Sequence, residues 1–226
     1  MAQDTQPDAR PAGEVAAPPG RFGLLLLVLI ATYLLSAFAQ GHWVDALQVL
    51  LFTVVAVLAL RNSAVSRRIV RVILGAAIAV SVVMFALAFT VNTTRGIVHI
   101  WTGLVLLGTV VVIVRRVLSF GTVTMQSIYG ALSAYLVIGL MFAAFYAAIN
   151  DLVPGDFFAN NQPATTQTFQ YFSFTTLTTL GYGDFTAIGS GGRAVAILEA
   201  LTGQIFLATL VARLVAAYRG PSDRQR

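Results

Sequence analysis

Thr178-Thr179-Leu180-Gly181-Tyr182-Gly183-Asp184 is the stretch on which the reading of this chain turns. Two glycines alternate with bulkier residues in it. Glycine takes positive φ without steric cost, so this alternation lets neighbouring carbonyls turn the same way. The stretch lies between two apolar runs, 128–149 and 194–218, each matching the roughly 20 residues that cross a bilayer core. The connecting segment, 151–192, is too polar to cross. Within it, however, 168–180 is dense in Phe, Tyr and Thr. A semi-apolar stretch too short to span, set between two spans, predicts a re-entrant segment. Irregular backbone at membrane depth persists only where protein buries it or where it lines a water-filled path. The segment itself therefore argues for a pore.

Composition agrees with a membrane setting. Of 226 residues, 58% are hydrophobic and 10% are charged, against about a quarter charged in an ordinary globular domain. Mean hydropathy is +0.82. So few charges cannot cover a soluble surface, which excludes a disordered chain and argues strongly against a cytosolic enzyme. Cysteine is absent, which excludes disulfides, thiolate metal sites and thiol nucleophiles. All 14 basic residues are Arg, with a net charge of +5. They sit at helix ends rather than on a polar, aromatic face, so no nucleic-acid partner is implied. The absence of Lys suggests a GC-rich bacterial genome.

Working outward, six apolar runs predict six transmembrane helices, at 22–39, 44–60, 69–91, 96–114, 128–149 and 194–218. Short polar turns at 40–43 and 92–95 make hairpins of the first two and of the third and fourth. Arg10, Arg21, Arg61, Arg67, Arg68, Arg71, Arg115, Arg116, Arg213, Arg219, Arg224 and Arg226 fall on one side, and only Arg95 and Arg193 on the other. The positive-inside rule then puts both termini in the cytoplasm, with the bacterial inner membrane as the location. The fold class is an all-α membrane protein. Residues 1–21 read as a disordered cytoplasmic tail without signal-peptide character, and 22–118 as a four-helix unit. A linker at 119–127, a pore domain at 128–218 and a short tail at 219–226 complete the chain. That last tail is too short for a cytoplasmic ligand-sensing domain.

The run from Thr178 to Asp184 resembles the selectivity filter of the potassium-channel family, with Thr-Leu-Gly-Tyr-Gly for the commoner Thr-Val-Gly-Tyr-Gly. The resemblance covers 128–218 at motif level. It implies K+ held by the carbonyls of Thr179, Leu180, Gly181 and Tyr182 and by the Thr179 hydroxyl, with no other cofactor. It implies a pore helix at 166–178 whose C-terminal partial negative charge favours a cation. Tyr171, Phe172 and Phe174 would collar Tyr182, and Leu180 would pack behind the filter. One loop supplies a quarter of such a filter, so a homotetramer in membrane lipid follows.

Further positions carry over by the same resemblance. Gly203 stands where an inner-helix hinge glycine occurs, with close packing as the alternative. Gln204, Leu207, Ala208, Val211 and Val215 would line the cavity and gate. Glu199, the one acid well inside a span, is costly there and so marks a function. It is expected to brace the filter through the pore helix near Thr175 or Thr176. Many family members carry an acid where Thr175 stands, so Asp184 needs another partner here.

Six spans with the pore in the last two match the layout of voltage-gated channels. The run 96–114, however, holds no Arg, so steep voltage dependence is not expected. The leading function is passive, potassium-selective conduction. Alternatives are a weakly selective cation channel, a membrane subunit of a potassium uptake system, and a non-conducting regulatory subunit. The single intact loop argues against the last two. His42 and His99 read as interfacial residues rather than metal ligands, and the glycines at 189–192 as a turn.

Overall fold

A computed structural model describes residues 22–38, 42–61, 75, 79, 92–120 and 123–218. Apart from residues 75 and 79, the expected third span lies outside the described residues, as do both tails. Those described are helix and turn, with one isolated antiparallel bridge between Phe158 and Ala187. The helices are α1 (Phe22–Phe38), α2 (His42–Arg61), α3 (Asn92–Leu118), α4 (Met125–Leu152), α5 (Thr166–Leu177) and α6 (Ser190–Tyr218), with a 3-10 turn at Ala159–Asn161. Three of them, over Arg95–Leu118, Met125–Leu152 and Ser190–Ala216, are long and apolar enough to cross a membrane. The expectation of six spans thus meets three such helices among the described residues, and two shorter apolar ones at Phe22–Phe38 and Leu50–Leu60.

α3 corrects one boundary. The turn expected at 92–95 is its first turn instead. In hydrocarbon a helix satisfies its own backbone groups, so extending it outward costs less than opening a turn at the membrane edge. At the other end Arg115 and Arg116 sit in the last turn, where cations complement the partial negative charge of a helix C-terminus.

α4 is the central element: α1, α3, α5 and α6 all pack on it. Every residue from 137 to 144 is buried, as a helix surrounded by others requires. It starts three residues before the expected run because Thr124 caps it. The Thr124 N–H donates to Ser127 Oγ at 2.7 Å, and the Ser127 N–H donates to Thr124 Oγ1 at 3.3 Å. It ends at Leu152, two residues before Pro154, whose ring disfavours helical backbone at the preceding residue.

α3 and α6 both rest on α4, and a largely apolar cavity of about 410 Å³ lies between the three helices. At one end of it, Arg213 of α6 reaches the end of α3. Its guanidinium donates to the carbonyls of Val117 at 2.8 Å, Phe120 at 2.7 Å and Leu118 at 3.4 Å. These carbonyls lie at and just past the end of a helix, where the last carbonyls lack intrahelical partners.

Candidate functional site

The segment between α4 and α6 is built on the short helix α5. Thr165 opens it with a capping box: its N–H donates to Thr168 Oγ1 at 2.8 Å, and the Thr168 N–H donates to Thr165 Oγ1 at 3.3 Å. An aromatic cluster supports its start. Phe158 stacks on Phe169 at 5.2 Å, while Phe157 meets Phe172 edge-on at 6.0 Å and Phe169 at 5.3 Å. Its centre is held by polar contacts. Ser173 Oγ lies 2.6 Å from the carbonyl of Gly139 and 2.5 Å from Glu199 Oε1. Its end is held by Tyr135, whose hydroxyl donates to the Leu177 carbonyl at 3.2 Å.

The loop leaves α5 with alternating backbone hands. Thr179, Gly181 and Gly183 have φ of 56°, 52° and 80°. The N–H groups turn back onto the helix end: Thr179 donates to the carbonyl of Thr176 at 2.9 Å, and Leu180 and Gly181 to that of Thr175 at 2.8 and 3.1 Å. Donors of three consecutive residues therefore face α5. A side chain at positive φ is uncommon and, for a β-branched residue, an outlier. Thr179 is held there by its neighbours. Its hydroxyl donates to the Thr178 carbonyl at 2.7 Å and accepts from Gln204 Nε2 at 3.0 Å. Residues 178–184 are exposed in the single chain.

The partner of Asp184 is Tyr171, whose hydroxyl donates to Oδ2 at 2.8 Å. This bond raises the Tyr171 phenol above its ordinary range. Tyr171 also stacks nearly parallel on Tyr182, 6.5 Å between centroids. The aromatic collar expected around Tyr182 is thus reduced, within one chain, to Tyr171. Phe172 turns the other way, to Tyr146 at 5.0 Å, and Phe174 meets Tyr33 of α1 at 5.2 Å. Helical spacing explains Phe172, since a residue one position on from Tyr171 points to a different face.

Glu199 is wholly buried and meets α5 at Ser173, not at Thr175 or Thr176. Its other oxygen accepts from Tyr146 of α4 at 2.5 Å. Thr175 instead uses its hydroxyl on the Phe172 carbonyl at 3.0 Å. Nothing in the pattern of the sequence marked Ser173 or Tyr146. Each is one polar atom in an apolar or aromatic run, and a partner 26 or 53 residues away is visible only in three dimensions.

Gly203 is a point of close approach. A Cβ there would overlap the carbonyl of Leu177, and α6 runs through it unbroken. Gln204, Leu207, Ala208, Val211 and Val215 are all exposed in the single chain, and their spacing forms one stripe along α6.

Residues 131–219 match the family described as ion channel. The match runs from within α4 to the end of α6 and so takes in the whole site. No curated protein and no solved structure matches the chain. Over residues 131–219 the chain is thus similar to an ion-channel domain, and that likeness, with three helices long and apolar enough to cross a membrane, supports passive ion conduction in a membrane protein. The domain supports the potassium-channel resemblance carried by Thr178–Asp184.

Proposed function

We propose that the protein is a potassium-selective channel, formed by four copies of this chain around one axis in a bacterial inner membrane. The observation that carries the reading is the backbone of 179–183. Positive φ at every second residue, with three consecutive N–H groups bonded to the end of α5, leaves the carbonyl edge of the strand to face elsewhere. A dehydrated K+ needs such oxygens in place of its water shell. Four strands would supply them through the carbonyls of Thr179, Leu180, Gly181 and Tyr182, and K+ would be the only bound group.

In this reading 128–218 is the pore domain, α5 its pore helix and α6 its inner helix. The exposed stripe from Gln204 to Val215 faces the aqueous cavity, where Val211 and Val215 narrow it. The exposure of 178–184 in one copy supports assembly, because a carbonyl ring is complete only when the other copies are present. The four-helix unit over 22–118 does not act as a steep voltage sensor, since between Arg95 and Arg115 α3 carries no charged residue.

The test is the reversal potential of the purified protein in planar bilayers between potassium and sodium solutions. A reversal near the potassium equilibrium potential is the expected result. A reversal near zero overturns potassium selectivity in favour of a weakly selective cation channel.

A further inference from the structure

We infer that α1 is a strut that positions α5, and that Ser36 and Gln170 are positioning residues for the loop at 178–184. The inference rests on the function proposed above, and it gives a task to a helix outside the matched domain.

Three contacts join the two helices. Ser36 Oγ donates to Gln170 Oε1 at 2.9 Å across 134 residues of sequence, and both side chains are buried. Gln167 Nε2 donates to the backbone carbonyl of Ser36 at 3.0 Å. Tyr33 meets Phe174 edge-on at 5.2 Å. On α1, Tyr33 and Ser36 are three apart. On α5, Gln167, Gln170 and Phe174 recur at three and four. Each set therefore lies on one helix face, and the two faces meet along most of the length of α5.

The Ser36 carbonyl is in the last described turn of α1, so the Gln167 amide also reaches that end of α1. Another face of α5 is held through its Ser173, which meets the Gly139 carbonyl of α4 and Glu199 of α6. α5 is thus gripped from both sides. Its terminal carbonyls, at Thr175 and Thr176, hold the N–H groups of 179–181. A rotation or slide of α5 passes directly to those strands. Apolar packing alone would tolerate such a slide, whereas a buried hydroxyl–amide bond is directional and costly to leave unmade.

The test combines two readouts on Ser36→Ala, Gln170→Leu and the double variant of the full chain. One is the K+/Na+ permeability ratio in planar bilayers. The other is hydrogen exchange of peptides covering 166–184 in detergent. Ser36→Ala is expected to lower the ratio by about threefold or more, the range of one lost hydrogen bond, and to speed exchange in 166–184. The double variant is expected to be no worse than the worse single variant. An unchanged ratio in Ser36→Ala, or losses that simply add in the double variant, overturns the strut. Where Ser36→Ala fails to assemble, Gln167→Ala, at a half-buried position, carries the same two readouts. A wild type that passes both ions equally overturns the proposed function instead. The exchange arm then decides the strut by itself, and unchanged exchange in 166–184 overturns it.

Discussion

Thr179 holds the least favourable backbone of the loop, a β-branched residue at φ 56°. Its conformation persists because the N–H bonds to Thr176 and the hydroxyl bonds to Thr178 and Gln204 over-determine it. Gly181, at φ 52°, has no side chain through which to be held. Replacing it by Ala adds about 1–2 kcal/mol of strain at that residue. K+ flux into liposomes is expected to fall by at least about tenfold, since a strand that relaxes to negative φ rotates a carbonyl out of line. Glu199 is the second residue of consequence. Glu199→Ala leaves the buried Tyr146 hydroxyl without its acceptor, at a cost of about 1–3 kcal/mol, whereas Ser173 keeps the Gly139 carbonyl. The unfolding temperature in detergent is expected to drop. Glu199→Gln, which retains an acceptor oxygen, is expected to drop less. Tyr171 adds a pH signature. Its phenol is raised by the bond to Asp184, so the stability it contributes is complete below the free phenol range near pH 10. That stability disappears as pH rises through the raised value, and Tyr171→Phe removes the dependence.

At the scale of elements, helix contacts reverse what local propensity suggests. Gly to Ala in a helix interior ordinarily stabilises by about 1 kcal/mol. At position 203 the added Cβ would meet the Leu177 backbone carbonyl, an atom fixed by α5 and by Tyr135. Gly203→Ala is therefore expected to lower the unfolding temperature in detergent and to reduce K+ flux. A stabilised, active variant would show that α6 bends freely there. Arg213 ties α6 to the end of α3 through three carbonyls. Arg213→Leu leaves those acceptors open and is expected to lower the unfolding temperature. Arg213→Lys recovers only part of the loss, because an ammonium lacks the planar fork that spans several acceptors.

At the scale of the molecule, burial is uneven. Of the three helices long and apolar enough to cross a membrane, α4 is mostly buried and α6 is mostly exposed. Ile197, Leu198, Leu201 and Ile205 stand exposed. A helix that is apolar on nearly all sides and buried on few is finished by other copies or by lipid. Chemical crosslinking in detergent is expected to give a ladder ending at four chains, and an end at two or three would remove the basis for a four-strand ring. Voltage provides the other whole-molecule test. Each charge crossing the field is worth about 2.3 kcal/mol per 100 mV, and between Arg95 and Arg115 α3 offers none. A shallow conductance–voltage relation is expected, and a steep sigmoid would contradict it.

The membrane character and the helical class of the described residues were legible in the residues themselves. Hydrophobic length and charge placement act locally, and the alternating glycines at 181 and 183 announce their own backbone. The partners were not. Glu199 could be assigned a bracing task from its cost in the membrane, but its bonds to Ser173 and Tyr146, the Tyr171 partner of Asp184 and the Ser36–Gln170 bond belong to helix faces. One side chain shifted by a third of a turn meets a different neighbour. The clash at Gly203 and the start of α3 at Asn92 were likewise decided by packing and by backbone satisfaction. Composition and periodicity settle what a segment is, because burial and hydrogen bonding act on it residue by residue. Which atoms meet depends on rotation and register between elements, and only the folded chain determines those.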